Sequence, residues 1–125
     1  MLRIKRVYEP PSPTDGERVL VDRLWPRGVK KEDARLDAWL AELAPSDALR
    51  RWFGHEPRRF AEFRRRYLRE LERSPSRALV EELARRAARG RVTLLYAAKD
   101  EEHNNAVVLA AAIARVGERP PRIRA

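Results

Sequence analysis

Val19-Leu20-Val21 and Val92-Thr93-Leu94-Leu95-Tyr96-Ala97-Ala98 are the segments that most restrict how this chain can fold. Each is apolar at consecutive positions, so a strand built from it can bury both faces, as strands inside a parallel sheet do. Each also ends abruptly in polar residues. Asp22-Arg23-Leu24-Trp25-Pro26-Arg27-Gly28 follows the first, and Lys99-Asp100 with His103-Asn104-Asn105 follows the second. Parallel strands need long crossover connections, and the intervening sequence is helical in pattern. The expected class is therefore α/β. We expect a small, mostly parallel sheet of about three to four strands with about four to five helices, in a Rossmann-like three-layer arrangement.

The remaining elements follow from periodicity and punctuation. Residues 2–8 alternate and predict a first strand, and residues 9–16, with three prolines, predict a loop. Residues 18–24 predict the second strand and 91–97 the third. Between 30 and 43, Leu36, Trp39, Leu40 and Leu43 fall at i, i+3, i+4 and i+7, which predicts a helix in the later part of that stretch. Ser46 is placed to cap a short helix over 47–53, closed by Gly54. A further helix over 57–73 aligns Phe60, Phe63, Tyr67 and Leu71. Ser74-Pro75-Ser76 should break it and cap another, stopped by Gly90. A last helix is expected over 102–116 with Gly117 as its stop, and the tail from Arg119 to Ala125 as extended or frayed chain.

The whole chain, 125 residues, fits one domain over 1–125. It has no cysteine, which excludes disulfides, thiolate metal sites and cysteine nucleophiles. The start lacks a signal-peptide apolar region. The longest apolar stretch, Ala106 to Ala114, is far short of the roughly 20 residues that span a bilayer. A soluble cytoplasmic protein without membrane contact is expected. The net charge is +9, and only four of the 28 basic residues are lysine. Such a balance favours anionic partners, nucleic acid included. The 19 acids interleaved with the arginines also suit a surface of ion pairs.

In open α/β sheets ligands bind beyond the carboxyl ends of the strands, and both polar clusters lie there. Arg23, Arg27 and Lys99 are the candidates to hold a small phosphate, nucleotide or carboxylate. Gly28 would admit a ligand to the backbone, and Trp25 would wall the pocket. Asp22 and Asp100 would orient the cations or act as a base, and if the site catalyses hydrolysis or group transfer, His55 and His103 would be the proton carriers. Each has a structural counterpart. Arg23 can bridge Asp22 or Asp100, Asp100 can cap the last helix, and His103 can sit at its start. Ser46 needs only its capping role. If the last helix begins near Asp100, its free N–H groups add to the anion preference. No spacing resembles a metal motif, so no metal ligand is assigned, and no cofactor is implied. The helix over 57–73 carries Arg58, Arg59, Arg64, Arg65, Arg66, Arg69 and Arg73, most of them on the face opposite Phe60, Phe63 and Tyr67. They offer the alternative reading, a nucleic-acid- or protein-binding module.

The same residues resemble those of the YeaO-like family of bacterial proteins, a family of unknown function. The resemblance runs nearly end to end. It rests on Asp15-Gly16, Val19 to Gly28, Trp39, Ala44-Pro45-Ser46, Leu49-Arg50 and Trp52-Phe53-Gly54-His55. Phe63, Tyr67, Glu70-Leu71, Thr93 to Asp100, His103-Asn104 and Ala106 complete it. It implies no established activity. It marks the two strand ends and Pro45 to His55 as hallmarks, and so brings Ser46 and His55 to the candidate pocket. More distant relatives often carry cysteine after the third strand, where Ala97 and Ala98 stand here.

Overall fold

A computed structural model describes residues 1–118. The expected tail, Arg119 to Ala125, lies outside the described residues. The chain forms a four-stranded sheet of β1 (Leu2–Arg6), β2 (Glu17–Leu20), β3 (Ala38–Trp39) and β4 (Val92–Tyr96). Its spatial order is β1-β4-β2-β3, and every pairing is parallel. Five α-helices accompany it: α1 (Lys31–Ala34), α2 (Asp47–Phe53), α3 (Phe60–Leu71), α4 (Ser76–Arg89) and α5 (Asn105–Glu118). The α/β class and three-layer arrangement are as expected.

Alternation along the strands divides the core in two. Val19, Val21, Val92, Leu94 and Tyr96 face α3, α4 and α5. They pack there with Phe63, Tyr67, Leu83, Leu109 and Ile113. Each large side chain removed from water in this way contributes roughly 1.5–3 kcal/mol. Val7, Leu20 and Leu95 face the other way, against Trp25, Val29 and Leu36, a thinner layer made mostly of loop. Its amino-terminal half is polar. Asp15, fully buried, accepts from Lys5 Nζ and Arg3 at 3.1 Å and from Arg18. Its main-chain carbonyl accepts Thr93 Oγ1 at 2.7 Å. Gly16 follows at φ +64, and a Cβ there would fall 2.2 Å from the carbonyl oxygen of Arg91. No larger residue fits that crossing without moving the backbone.

The helix expected between 30 and 43 is not formed. Only Lys31–Ala34 is α-helical, Arg35 turns to φ 47, and the chain then runs as β3. The four apolar residues at helical spacing do not share a face. Leu36 joins the thinner layer, Leu40 and Leu43 the main core, and Trp39 stays 43% exposed. The backbone finds its partners on β2 instead. Asp37 N–H donates to Arg18 O at 2.8 Å and Leu40 N–H to Leu20 O at 2.9 Å, while Asp37 Oδ2 accepts Arg18 N–H at 2.8 Å.

Smaller departures have local causes. β1, β2 and β4 are shorter than expected, although Val7 and Val21 each continue the ladder by one bond, to Tyr96 O and Leu95 O. Ser76 donates to Glu42 O at 2.9 Å, so it ties α4 to the preceding segment and does not cap it. α5 begins at Asn105, three residues later than expected, and runs through Gly117. Its cap is Asn104, whose Oδ1 accepts Val107 N–H at 3.0 Å. The expected cap of α2 is present: Ser46 Oγ accepts Leu49 N–H at 3.2 Å. On α3, Arg65 and Arg66 pair with Glu62, and Arg66 also lies 4.4 Å over the ring of Trp52.

Candidate functional site

The turns that follow β2 and β4 meet. Together with the segment entering and leaving α2 they enclose an open cleft of about 800 Å³ at the carboxyl edge of the sheet. Its lining includes Asp22, Arg23, Trp25, Arg27, His55 and Lys99. Asp100, Asn104 and Asn105 also contribute, with Phe53 and Phe63 among the apolar walls.

Asp22 stands where β2 and β4 end. Its Oδ2 accepts Ala97 N–H at 2.9 Å and its Oδ1 accepts Asn105 Nδ2 at 3.2 Å. Burial pushes its carboxyl above the usual aspartate value. The Ala97 and Asn105 hydrogen bonds and nearby His55 only partly offset this. His55 follows Gly54 in the left-handed region, at φ 57, exposed at the cleft. A side chain held there carries local strain, a feature that recurs at functional sites.

The cations differ sharply. Arg23 is committed to the protein: Nε donates to Pro45 O at 3.1 Å, NH2 to Ala44 O at 3.4 Å, and Asp47 lies 3.8 Å away. It does not bridge Asp22 or Asp100. Arg27 and Lys99 are exposed on the lining, and neither has a carboxylate partner among the described residues. Tyr8 Oη donates to Arg27 O at 3.0 Å and so steadies the backbone of that turn. Arg50 was visible in the sequence only as part of the family pattern. Its NH2 reaches Asp47 at 3.5 Å, but its buried Nε has no hydrogen-bond partner.

Trp25 donates Nε1–H to Val29 O at 2.7 Å and meets Trp39 edge to face, with centroids 5.5 Å apart. One flank of the indole is fixed in this way, and the ring still contributes to the lining. Gly28, at φ +75, shapes the turn. It is not among the lining residues, and neither are Ser46 and His103. Ser46 donates Oγ–H to Glu70 Oε2 at 2.7 Å. His103 Nδ1 lies 2.9 Å from Asp100 Oδ2, and its ring meets Phe60 edge to face at 5.2 Å.

Asp100 Oδ1 accepts the N–H groups of Glu102 and His103, both at 2.9 Å. Those bonds, and the His103 ring, hold its carboxyl below the usual aspartate range. Asn104 is buried, and its Nδ2 donates to Asp100 O at 2.8 Å. The N–H groups expected to face an anion at the start of the last helix are thus already taken at residues 102, 103 and 107.

A family model described as the inactive DUF488-N3 subclade matches residues 1–120. The chain belongs to that subclade. Among its relatives is the uncharacterized protein YeaO of Escherichia coli (strain K12), 47% identical over 109 residues, which cover 87% of this chain and 93% of the relative. The uncharacterized proteins Rv3073c of Mycobacterium tuberculosis and Mb3100c of Mycobacterium bovis are each 45% identical over 109 residues, 87% of this chain and 90% of theirs. No solved structure gives a significant match. In this DUF488-N3 member no group of three or more His, Asp or Glu among the described residues is arranged to hold a metal. No helix among them is long and apolar enough to cross a membrane.

Proposed function

We propose that the cleft binds a small anion, a phosphate, nucleotide or carboxylate, at the carboxyl edge of the sheet. The observation that carries this reading is the pair Arg27 and Lys99, exposed on the lining without a carboxylate partner among the described residues. Arg50, also on the lining, has a buried Nε without a hydrogen-bond partner. A charge-assisted hydrogen bond contributes about 1.5–3 kcal/mol, so two or three such contacts contribute about 3–9 kcal/mol, which spans millimolar to micromolar affinity for a small anion. Asp22 and His55 line the same cleft and are the groups placed to move a proton. The description of the subclade as inactive supports a role for them in orienting the ligand. The absence of cysteine from the chain suits a cytoplasmic setting.

Titration with inorganic phosphate, followed by calorimetry and thermal melting, tests the reading. Phosphate should raise the Tm of the unmodified protein. Arg27→Ala should weaken phosphate about tenfold or more and leave the Tm without phosphate unchanged, since its exposed side chain makes no hydrogen bond or ion pair among the described residues. Unaltered affinity in that variant would refute the reading. A second reading, nucleic-acid binding through α3, is favoured by Arg64 and Arg69, which are exposed without ion-pair partners among the described residues. It requires an affinity that falls steeply with salt and weakens in Arg64→Ala and Arg69→Ala.

A further inference from the structure

Asp22 and Asn105, at the strand-end side of the cleft, share one character. Each Asp22 oxygen already holds one donor and keeps a further lone pair. Asn105 directs its amide nitrogen to Val21 O at 3.1 Å and to Asp22, which pins the amide and leaves Oδ1 as its open end. Asn104 adds nothing to this set, because both of its polar atoms are engaged. This side of the cleft therefore offers acceptors only. Arg27 and Lys99 offer donors only. A simple phosphate satisfies the second set and leaves the first unused.

We propose, building on the anion-binding reading, that the ligand is a purine nucleotide of the guanine type. Its phosphate meets Arg27 and Lys99, and its adjacent N1–H and 2-amino donors meet Asp22 and Asn105. A guanine edge presents two neighbouring donors, spaced like the two oxygens of one carboxylate. An adenine edge instead sets its N1 lone pair against the carboxylate, which is repulsive. Trp25, on the lining, supplies an apolar face for the planar ring. The volume of about 800 Å³ accommodates base, sugar and phosphate together.

Calorimetric titration of the unmodified protein with inorganic phosphate, AMP, IMP and GMP tests the proposal. GMP should bind roughly tenfold or more tightly than IMP, which lacks the 2-amino donor. AMP should be weaker still. Asp22→Asn, which replaces an acceptor oxygen with a donor, should erase the preference for GMP over IMP. Equal affinity for the three nucleotides, or GMP no tighter than phosphate, overturns the proposal and leaves anion binding standing. Failure of all four to bind overturns both.

Discussion

Asp22 Oδ2 accepts the backbone N–H of Ala97 at 2.9 Å, so the carboxylate just beyond β2 holds the first residue beyond β4. The same carboxylate lines the cleft. One side chain thereby joins the two strand ends and presents lone pairs between them.

That position has a pH signature. Burial raises the folded-state pKa of Asp22 above its unfolded value of 3.8, despite the bonds from Ala97 and Asn105. The folded state therefore holds this proton more tightly than the unfolded state. Its contribution to stability is complete below 3.8 and is lost as pH rises through the raised folded value. In Asp22→Asn that contribution disappears. The stability of Asp22→Asn relative to the unmodified protein should increase from pH 3.8 toward neutrality, and each kcal/mol gained should raise Tm by roughly 3–5 °C. Denaturant melts of both proteins across that range give the comparison. Parallel stability curves would contradict the assignment.

Asp15 should show the opposite sign. Burial would raise its pKa, but the Ser12 N–H, Lys5 and Arg18 outweigh that and hold it low. Its stabilising contribution is present above 3.8 and is lost as pH falls through the lower folded value. Asp15→Ala leaves the Arg18 side chain, 6% exposed, without its carboxylate. A loss of about 3–5 kcal/mol is expected, read as a lower urea midpoint. A loss below about 1 kcal/mol would mean that Arg18 is satisfied by Ala34 O alone.

His55→Gly separates strain from ligand contact. The left-handed conformation costs an ordinary residue roughly 1–2 kcal/mol, and glycine entropy returns about half of that. The variant should melt at the same temperature or slightly above the unmodified protein, yet bind phosphate more weakly. A marked fall in Tm would show that the imidazole supports the fold through its packing near Phe53, 6.4 Å away.

Tyr67→Phe tests the anchor between α3 and the segment before α2. The phenol, fully buried, donates to Leu43 O. Burial, with Asp22 and Glu70 nearby, pushes its pKa far above the ordinary tyrosine value, so it remains a donor at every pH the protein tolerates. Removing it strands a carbonyl in the core at a cost of about 1–3 kcal/mol. Thermal melts should show the loss with phosphate affinity retained.

How much was legible follows from where each signal lies. β2 and β4 could be read because burial on both faces leaves consecutive apolar residues. The meeting of their polar ends follows from parallel pairing through β4. β3 could not be read. It has two residues, one of them exposed, and Leu36, Leu40 and Leu43 imitate a helix while lying on opposite sides of the sheet. The start of α5 was misplaced because Asp100 and Asn104 both cap local N–H groups, and composition alone does not rank them. The commitment of Arg23 to Ala44 and Pro45, and the unpartnered Nε of Arg50, depend on contacts between segments far apart in sequence. Such contacts leave no local trace.

The two borders of the sheet carry a final consequence. β3 is only two residues long, and on β1 the N–H of Arg6 is already taken by Glu9 Oε2 at 3.1 Å. A short border and one whose donor is already bonded both discourage strand addition by a neighbouring chain. Among the described residues, an open, fully parallel sheet is thereby guarded at both borders against intermolecular β-aggregation.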